Sequence, residues 1–405
     1  MGKVLIKNIS QLVTYDSKIK DMRVFDHVEL LIESDTVIEI GRALFCEDCL
    51  VVDAEHRLVT PGFVDPHTHP VFYSTREDEF EMRVLGISYM EIARRGGGIL
   101  NSAKKLQMAD YNDLKERVKK RLLNFLRFGV TTVEAKSGYG LDTDAEIKSL
   151  RMLKELNSEL DIEIKPTFLG AHEYPLEFRN NHAGYIDKIL KEMLPVVAKE
   201  GLAEYCDVFC EEGVFSLDES RTILQAAKEL GLDLRIHAGE FKSIGGAKLA
   251  AELGARSADH LVHVTDDEIE AMRKRGVVAV LLPATTFFLG SDRYAPAKKM
   301  MEMGVEVALS TDFNPGSSFT QSMQFVITLA CIKMRMGILE ALQAATYNSA
   351  KSLGIEDRLG SIEKGKQADF IIWKIDNYQS IPYYLADNSV WKVFKNGKLV
   401  CENSF

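Results

Sequence analysis

The chain has 405 residues, of which 46% are hydrophobic and 27% charged, with a formal net charge of −10. This is an ordinary composition for a soluble globular protein, with core enough to fold without a disulfide or a structural metal. The acidic balance excludes a broad nucleic-acid or anionic-membrane surface, but not a single buried basic residue that binds a small anion.

The N-terminus, Met1-Gly2-Lys3-Val4-Leu5-Ile6, runs straight into a strand-like segment and lacks the apolar stretch and small-residue cleavage site of a signal peptide. The longest apolar stretch, Val277 to Leu289, is broken by Pro283 and by Thr285 and Thr286, and is too short to span a bilayer. A cytoplasmic protein is expected. Short strands follow at Val28 to Glu33 and Thr36 to Ile40, separated by Asn, Asp and Ser turns. Cys46 and Cys49 form a C-x-x-C with no second pair nearby, so reduced, structurally incidental thiols are expected, as at Cys206, Cys210, Cys331 and Cys401.

From residue 59 onward the pattern changes to strand–helix alternation. Short apolar strands are expected at Gly62–Asp65, Val130–Glu134, Ile162–Leu169, Cys206–Phe209, Leu234–His237, Ser257–His260, Val277–Leu282 and Val305–Ser310. Between most of them lie stretches with helical apolar spacing, such as Leu114 to Phe128 and Leu217 to Leu230. Eight such alternations favour a TIM-type (β/α)8 barrel over an open doubly wound sheet. Gly96-Gly97-Gly98 is expected to be a flexible loop near the barrel mouth. The chain ends in strands again, Ala368 to Trp373 and Val390 to Phe394, with a hairpin turn at Lys395-Asn396-Gly397-Lys398. The expected architecture is a barrel over residues 59–354 with a small β-sandwich domain built from residues 1–58 and 355–405.

Catalytic groups of such barrels come from the C-terminal ends of several strands. Five of the nine histidines fall there: His67, His69, His172, His237 and His260. Residues two apart on an extended backbone point the same way, so His67 and His69 can face one ion. Neutral imidazoles suit zinc and iron better than magnesium or calcium. The pair alone is a weak signal. Joined by His237 and Asp312 on later strands, it points to a metal centre. His263, also after the sixth strand, is less well directed than His260.

These residues carry a resemblance. Val59 to His69, reading VTPGFVDPHTH, is similar to the opening motif of the amidohydrolase superfamily, and Leu359 to Phe370, reading LGSIEKGKQADF, to its return into the small β domain. Within that superfamily the chain resembles the enzymes that open the imidazolone ring in histidine degradation. The segments that carry this are Lys136 to Leu141, Gly170-Ala171-His172, His237 to Glu240, Ser257 to Leu261 and Ser310 to Ser317. The likeness covers essentially the whole chain.

The resemblance implies one divalent ion, Zn(2+) or iron, on His67, His69, His237 and Asp312. Binuclear members bridge two ions with a carboxylated lysine at the end of strand four, where this chain reads Cys210-Glu211-Glu212-Gly213. It further implies Glu240, His260 and Asp312 as the catalytic groups, with Glu240 moving a proton and His260 orienting the water and stabilising the developing oxyanion. A propionate-bearing substrate needs a cation, and Arg76 offers a two-donor fork. Arg76, Tyr89, Tyr139, His172 and Glu240 would contact substrate, and Asn314, Gly316 and Ser317 the polar end of the opened product. Arg94 and Arg95 read as charges at a helix end. A homodimer is a family expectation. Two rivals stand beside this reading: a cytosine- or guanine-type deaminase of the same superfamily, with less need of a carboxylate clamp, and a metal-free scaffold, which would be expected to have lost ligands.

Overall fold

In the first strands of the chain, buried residues such as Val28, Leu30 and Ile32 alternate with more exposed ones, the period of a strand with one face in a core. The computed structural model describes residues 2–87, 91, 92 and 95–404. It begins with β1 (Lys3–Asp16), β2 (Asp21–Glu33), β3 (Thr36–Gly41) and β4 (Cys49–Pro61). One residue later the chain enters the barrel, whose strands are β5 (Phe63–Thr68), β6 (Val130–Lys136), β7 (Glu163–Ala171), β8 (Tyr205–Cys210), β9 (Asp233–Ala238), β10 (Ser257–His260), β11 (Val278–Leu281) and β12 (Val307–Leu309). It then returns through β13 (Phe370–Trp373), β14 (Val390–Lys395) and β15 (Lys398–Glu402) to the first sheet.

The two termini share one seven-stranded sheet in the order β15-β14-β13-β4-β1-β2-β3. Its sandwich is a single sheet curled on itself. The segment before β13 donates from Ala368 N to the carbonyl of Asp35 and accepts at Lys366 O from Val37 N, so it meets the far edge of the sheet. Ile6, Leu30, Val59, Phe370 and Phe394 fill the core inside the curl.

The barrel strands run parallel in sequence order, β5 through β12. Residues expected as strands are strands, with shifts at their ends: β5 runs on to Thr68, and β12 stops at Leu309. Capped helices return the chain between strands. The Asp110 carboxylate accepts from the N–H groups of Asn112 and Asp113 at the start of helix Tyr111–Arg127, and capping boxes at Ser216/Glu219 and Thr265/Glu268 open Leu217–Glu229 and Asp266–Arg275. Of the three glycines expected as a loop, Gly96 lies in an exposed turn and Gly97 precedes a helix, but the third is not free. Gly98 opens helix Gly98–Gln107 and donates its N–H to Glu79 Oε1 at 2.9 Å.

First and last strands close the barrel mostly through side chains. The Asp65 carboxylate, fully buried on β5, accepts from Ser310 Oγ, from Thr311 N at 3.1 Å and from Thr311 Oγ1 at 2.6 Å. Ser310 Oγ also reaches the His67 carbonyl at 2.8 Å, and His69 N–H reaches the Phe313 carbonyl at 2.9 Å. All six cysteines are free, with Cys206 and Cys210 buried in β8. Among the described residues no helix is long and apolar enough to cross a membrane.

Glu163, at the start of β7, holds the small domain to the barrel. Its oxygens meet Arg358 Nη2 at 2.5 Å and Lys395 Nζ at 3.2 Å. Burial pushes its carboxyl up, but Arg358, Lys395 and Lys165 together hold it down at about 2. A carboxyl with a lowered folded pKa contributes stability above its unfolded value of roughly 4.3, lost as pH falls toward the folded value. Glu163→Gln is therefore expected to cost about 2 kcal/mol near neutral pH. The difference in melting temperature between variant and parent should shrink to nothing between about pH 4.3 and pH 2; a difference that persists unchanged at acid pH contradicts the linkage.

Candidate metal centre

Strand ends bring the centre together. His67 lies in β5 and His69 just past it, His237 is the penultimate residue of β9, His260 ends β10, and Asp312 follows β12. All five are at most 3% exposed. His67 Nε2 and His69 Nε2 lie 3.2 Å apart, and Asp312 Oδ1 is 3.6 Å from the first and 3.4 Å from the second. Two nitrogens bound tetrahedrally to one ion at roughly 2.0–2.1 Å sit about 3.3–3.4 Å apart, so this spacing fits a shared metal. Ligand atoms of His67, His69 and Asp312 form one compact set, and those of His67, His237 and His260 another. His260 thus stands near His67 beside His237, their ring centroids 5.4 and 4.4 Å from that of His67. His260 and Asp312 have left-handed backbones, φ 73° and 51°, conformations that non-glycine residues hold only when their surroundings fix them.

Electrostatics favours the same occupant. Burial, reinforced by Lys136 and neighbouring histidines, keeps His67 well below its ordinary pKa. Burial dominates likewise at His69 and His260. All three are neutral, the form that binds metal. Burial raises the Asp312 carboxyl to about 7 against the opposing hydrogen bond from Thr285, whose Oγ1 lies 2.5 Å from Oδ2. A cation beside Asp312 would return it to the carboxylate form.

Beneath the histidines lies a network that sequence reasoning missed. His67 Nδ1 is 2.6 Å from Asp259 Oδ2, and His237 Nδ1 is 3.0 Å from Asp207 Oδ2, though poorly aligned for a hydrogen bond. Such carboxylates fix a ligand's tautomer and ring orientation. Behind them stand Glu134, Lys136 and Arg235, all fully buried. The signal was there to read: Glu134/Lys136 and Arg235/His237 are charged or polar pairs two apart inside apolar strands, so each pair shares a face.

On the solvent side a cleft is lined by His69, Arg76, Tyr139, His172, Glu240 and Asn314, among others. Arg76 is 4% exposed; its Nη1 lies 3.7 Å from Glu79 Oε2, and neither Nε nor Nη1 makes a hydrogen bond. His172 Nδ1 is taken up by the Gly138 carbonyl at 2.8 Å, which directs the other ring nitrogen elsewhere. Gly316 packs on the Arg76 guanidinium: a Cβ there would fall 1.3 Å from Nη2. Asn314 is committed to its own loop, accepting from Gly316 N and Ser317 N at 2.8 and 2.7 Å and donating to Asp312 O at 2.7 Å. Ser317 lines the cleft. Tyr89 and Arg94 lie outside the described residues, while Arg95 is exposed and paired with Glu91 at 2.9 Å. Glu240 Oε2 is 3.7 Å from His260 Nε2; burial first, then the charges of Asp312 and Glu211, push its carboxyl well above the usual range. Glu211 was missed too: it follows β8 and accepts from Phe241 N and Lys242 N, both at 3.0 Å, anchoring the loop that carries Glu240. His263 faces a neighbouring cavity and takes no place among the clustered ligand atoms.

A parallel eight-stranded barrel with neutral histidines and an aspartate gathered at its strand ends is the build of a metal-dependent hydrolase. The profile of the amidohydrolase family matches residues 58–400. The imidazolonepropionase of Alkaliphilus metalliredigens is 44% identical over 99% of both chains, and that of Clostridium tetani 47% identical over 100% of this chain and 99% of its own. The chain belongs to the amidohydrolase family and, within it, to the imidazolonepropionases. Solved structures share the fold at low identity. Guanine deaminase from E. coli superposes with a TM-score of 0.77 at 18% identity, covering 100% of both chains. An atrazine chlorohydrolase from Arthrobacter aurescens TC1, complexed with zinc, gives 0.72 at 18%, covering 99% of this chain and 95% of its own.

Thr285→Val removes the hydroxyl that holds Asp312 and keeps the side chain's shape. It is expected to weaken metal retention about tenfold, the lower end for loss of a group that orients a ligand. Competition with a chromophoric chelator measures this, and an unchanged affinity contradicts the assignment of Asp312 as a ligand.

Proposed function

We propose that the chain hydrolyses 4-imidazolone-5-propanoate to N-formimino-L-glutamate, a step of histidine degradation, with one divalent ion held by His67, His69, His237 and Asp312. Three imidazoles and a carboxylate accept zinc or iron alike. When bound, such an ion lowers the pKa of a coordinated water toward neutrality and polarises the carbonyl under attack. The chain's own groups do the rest. Arg76, which lines the cleft with Nε–H and Nη1–H unbonded, pairs its guanidinium with the propionate, and the Gly316 backbone leaves room for it. Tyr139 and His172, with ring centroids 5.2 Å apart, wall the ring-binding space. Glu240, with its raised pKa, takes a proton from water and hands it to the ring nitrogen as the amide C–N bond breaks. His260, held neutral, orients the water and stabilises charge that develops on the carbonyl oxygen. Water adds across the C–N bond, so acyl carbon gains the oxygen and nitrogen the proton.

The single observation that carries this reading is the buried Arg76 fork beside the histidine cluster, a carboxylate clamp that a nucleobase substrate would leave unmet. The guanine deaminase likeness, at 18% identity, speaks only for the fold. The direct test incubates metal-replete protein with freshly generated imidazolone propionate and follows loss of its ultraviolet absorbance. No loss, together with ammonia release from cytosine or guanine, contradicts the proposal. Arg76→Met should raise KM roughly 30-fold or more, the cost of a charge-assisted bidentate contact, at unchanged metal content. Gly316→Ala, which displaces the same guanidinium, should act in the same direction; an unaltered KM in both refutes the clamp.

A further inference from the structure

Two of the histidines that face the centre are joined from behind by a closed chain of buried charges. From His67 it passes to Asp259 Oδ2 at 2.6 Å, and from there to Arg235 Nη2 at 3.3 Å. Arg235 Nε lies 3.9 Å from Glu134 Oε1, which also meets Lys136 Nζ at 2.7 Å. Lys136 Nζ then meets Asp207 Oδ2 at 2.8 Å, and Asp207 Oδ2 lies 3.0 Å from His237 Nδ1. Every side chain in the circuit is 0–3% exposed. The ligand atoms of His67, Asp207 and Asp259 themselves lie within 4.8 Å of one another, a spacing able to hold a metal ion. Three buried carboxylates, Glu134, Asp207 and Asp259, would by themselves draw a divalent cation, because an isolated buried carboxylate is strongly unfavourable.

We propose that Lys136 and Arg235 act as built-in counter-ions: they occupy these carboxylates, reserve Asp207 and Asp259 for orienting histidines, and thereby hold the centre to a single ion. This rests on the one-ion reading above and adds a physical reason for it. The absence of a lysine at the end of strand four removes a bridge; the ammonium of Lys136, from strand two, fills the charge requirement that a second ion would meet. Burial opposes its charge, but Asp207 and Glu134 outweigh burial and keep it an ammonium. Lys136 and Arg235 are positioning residues, since neither reaches the cleft.

The test strips the full-length protein of metal, titrates it with Co(2+), and counts tightly bound ions by elemental analysis after gel filtration, without reference to turnover. The parent and Lys136→Arg should each retain one ion per chain. Lys136→Met should retain two, and Lys136→Met/Asp207→Asn should return to one. A Lys136→Met protein recovered folded only when divalent metal is supplied, and then carrying two ions, is the same positive result. Lys136→Met with one ion, beside a parent with one, overturns the counter-ion role and leaves the one-ion reading standing. Lys136→Met that stays unfolded with or without added metal also overturns it, since an ion should substitute for the ammonium. Two ions in the parent overturn both.

Discussion

The constraint on which the rest depends is the desolvation of charge at the barrel centre. Asp65, Glu134, Asp207, Asp259 and Asp312 are at most 2% exposed, and among the described residues Lys136 and Arg235 are the cations that pair with Glu134, Asp207 and Asp259. Carboxylates so buried must be paired, hydrogen-bonded or bound to metal. Each meets that demand differently. Asp65 is satisfied by three donors from the strand-eight end, Glu134 and Asp207 by the Lys136 ammonium, and Asp259 by His67, Arg235 and Ser257. Asp312 has Thr285 and the two imidazoles at 3.4 and 3.6 Å, an arrangement that fits a shared cation.

That arrangement explains why closure of the barrel and assembly of the centre are one event. The donors that satisfy Asp65 belong to Ser310 and Thr311, immediately before Asp312, while Asp65 itself lies two residues before His67. Closing the seam therefore sets the first and last ligands against each other. His260 and Asp312, at strand ends, both have left-handed backbones, which the packed surroundings of the centre hold in place. On the outer side, Gly316 leaves the space that Arg76 fills, so the place of this guanidinium is set by the same loop after β12 that carries Asp312.

Much of this was legible in the sequence, and what was not has a physical reason. Strand–helix alternation is a local signal, and all eight barrel strands lie where the apolar runs placed them. His67 and His69 could be read together because a period of two is local as well. Asp207, Asp259 and Glu211 could not be: each acts on a residue about 30 or more positions away, and only barrel closure brings the partners together. Lys136 sits inside a segment quoted for its family likeness, yet its role emerges only when Glu134 beside it and Asp207 on another strand converge on one ammonium. The helical start at Gly98 went unread because its partner, Glu79, caps that helix from a distance in sequence that no local pattern reveals. Asn314, expected against the product, lines the cleft and is also hydrogen-bonded within its own loop, a second task that residue type alone does not reveal.

The central claim is that one ion lies among His67, His69, His237 and Asp312 and not deeper in the barrel. Anomalous diffraction from crystals of the metal-replete protein, collected at the zinc and iron absorption edges, tests it most directly. The account predicts a single peak per chain within bonding distance of those four side chains, strong at one edge. A peak bounded by Asp207 and Asp259, or two peaks in one chain, would contradict it.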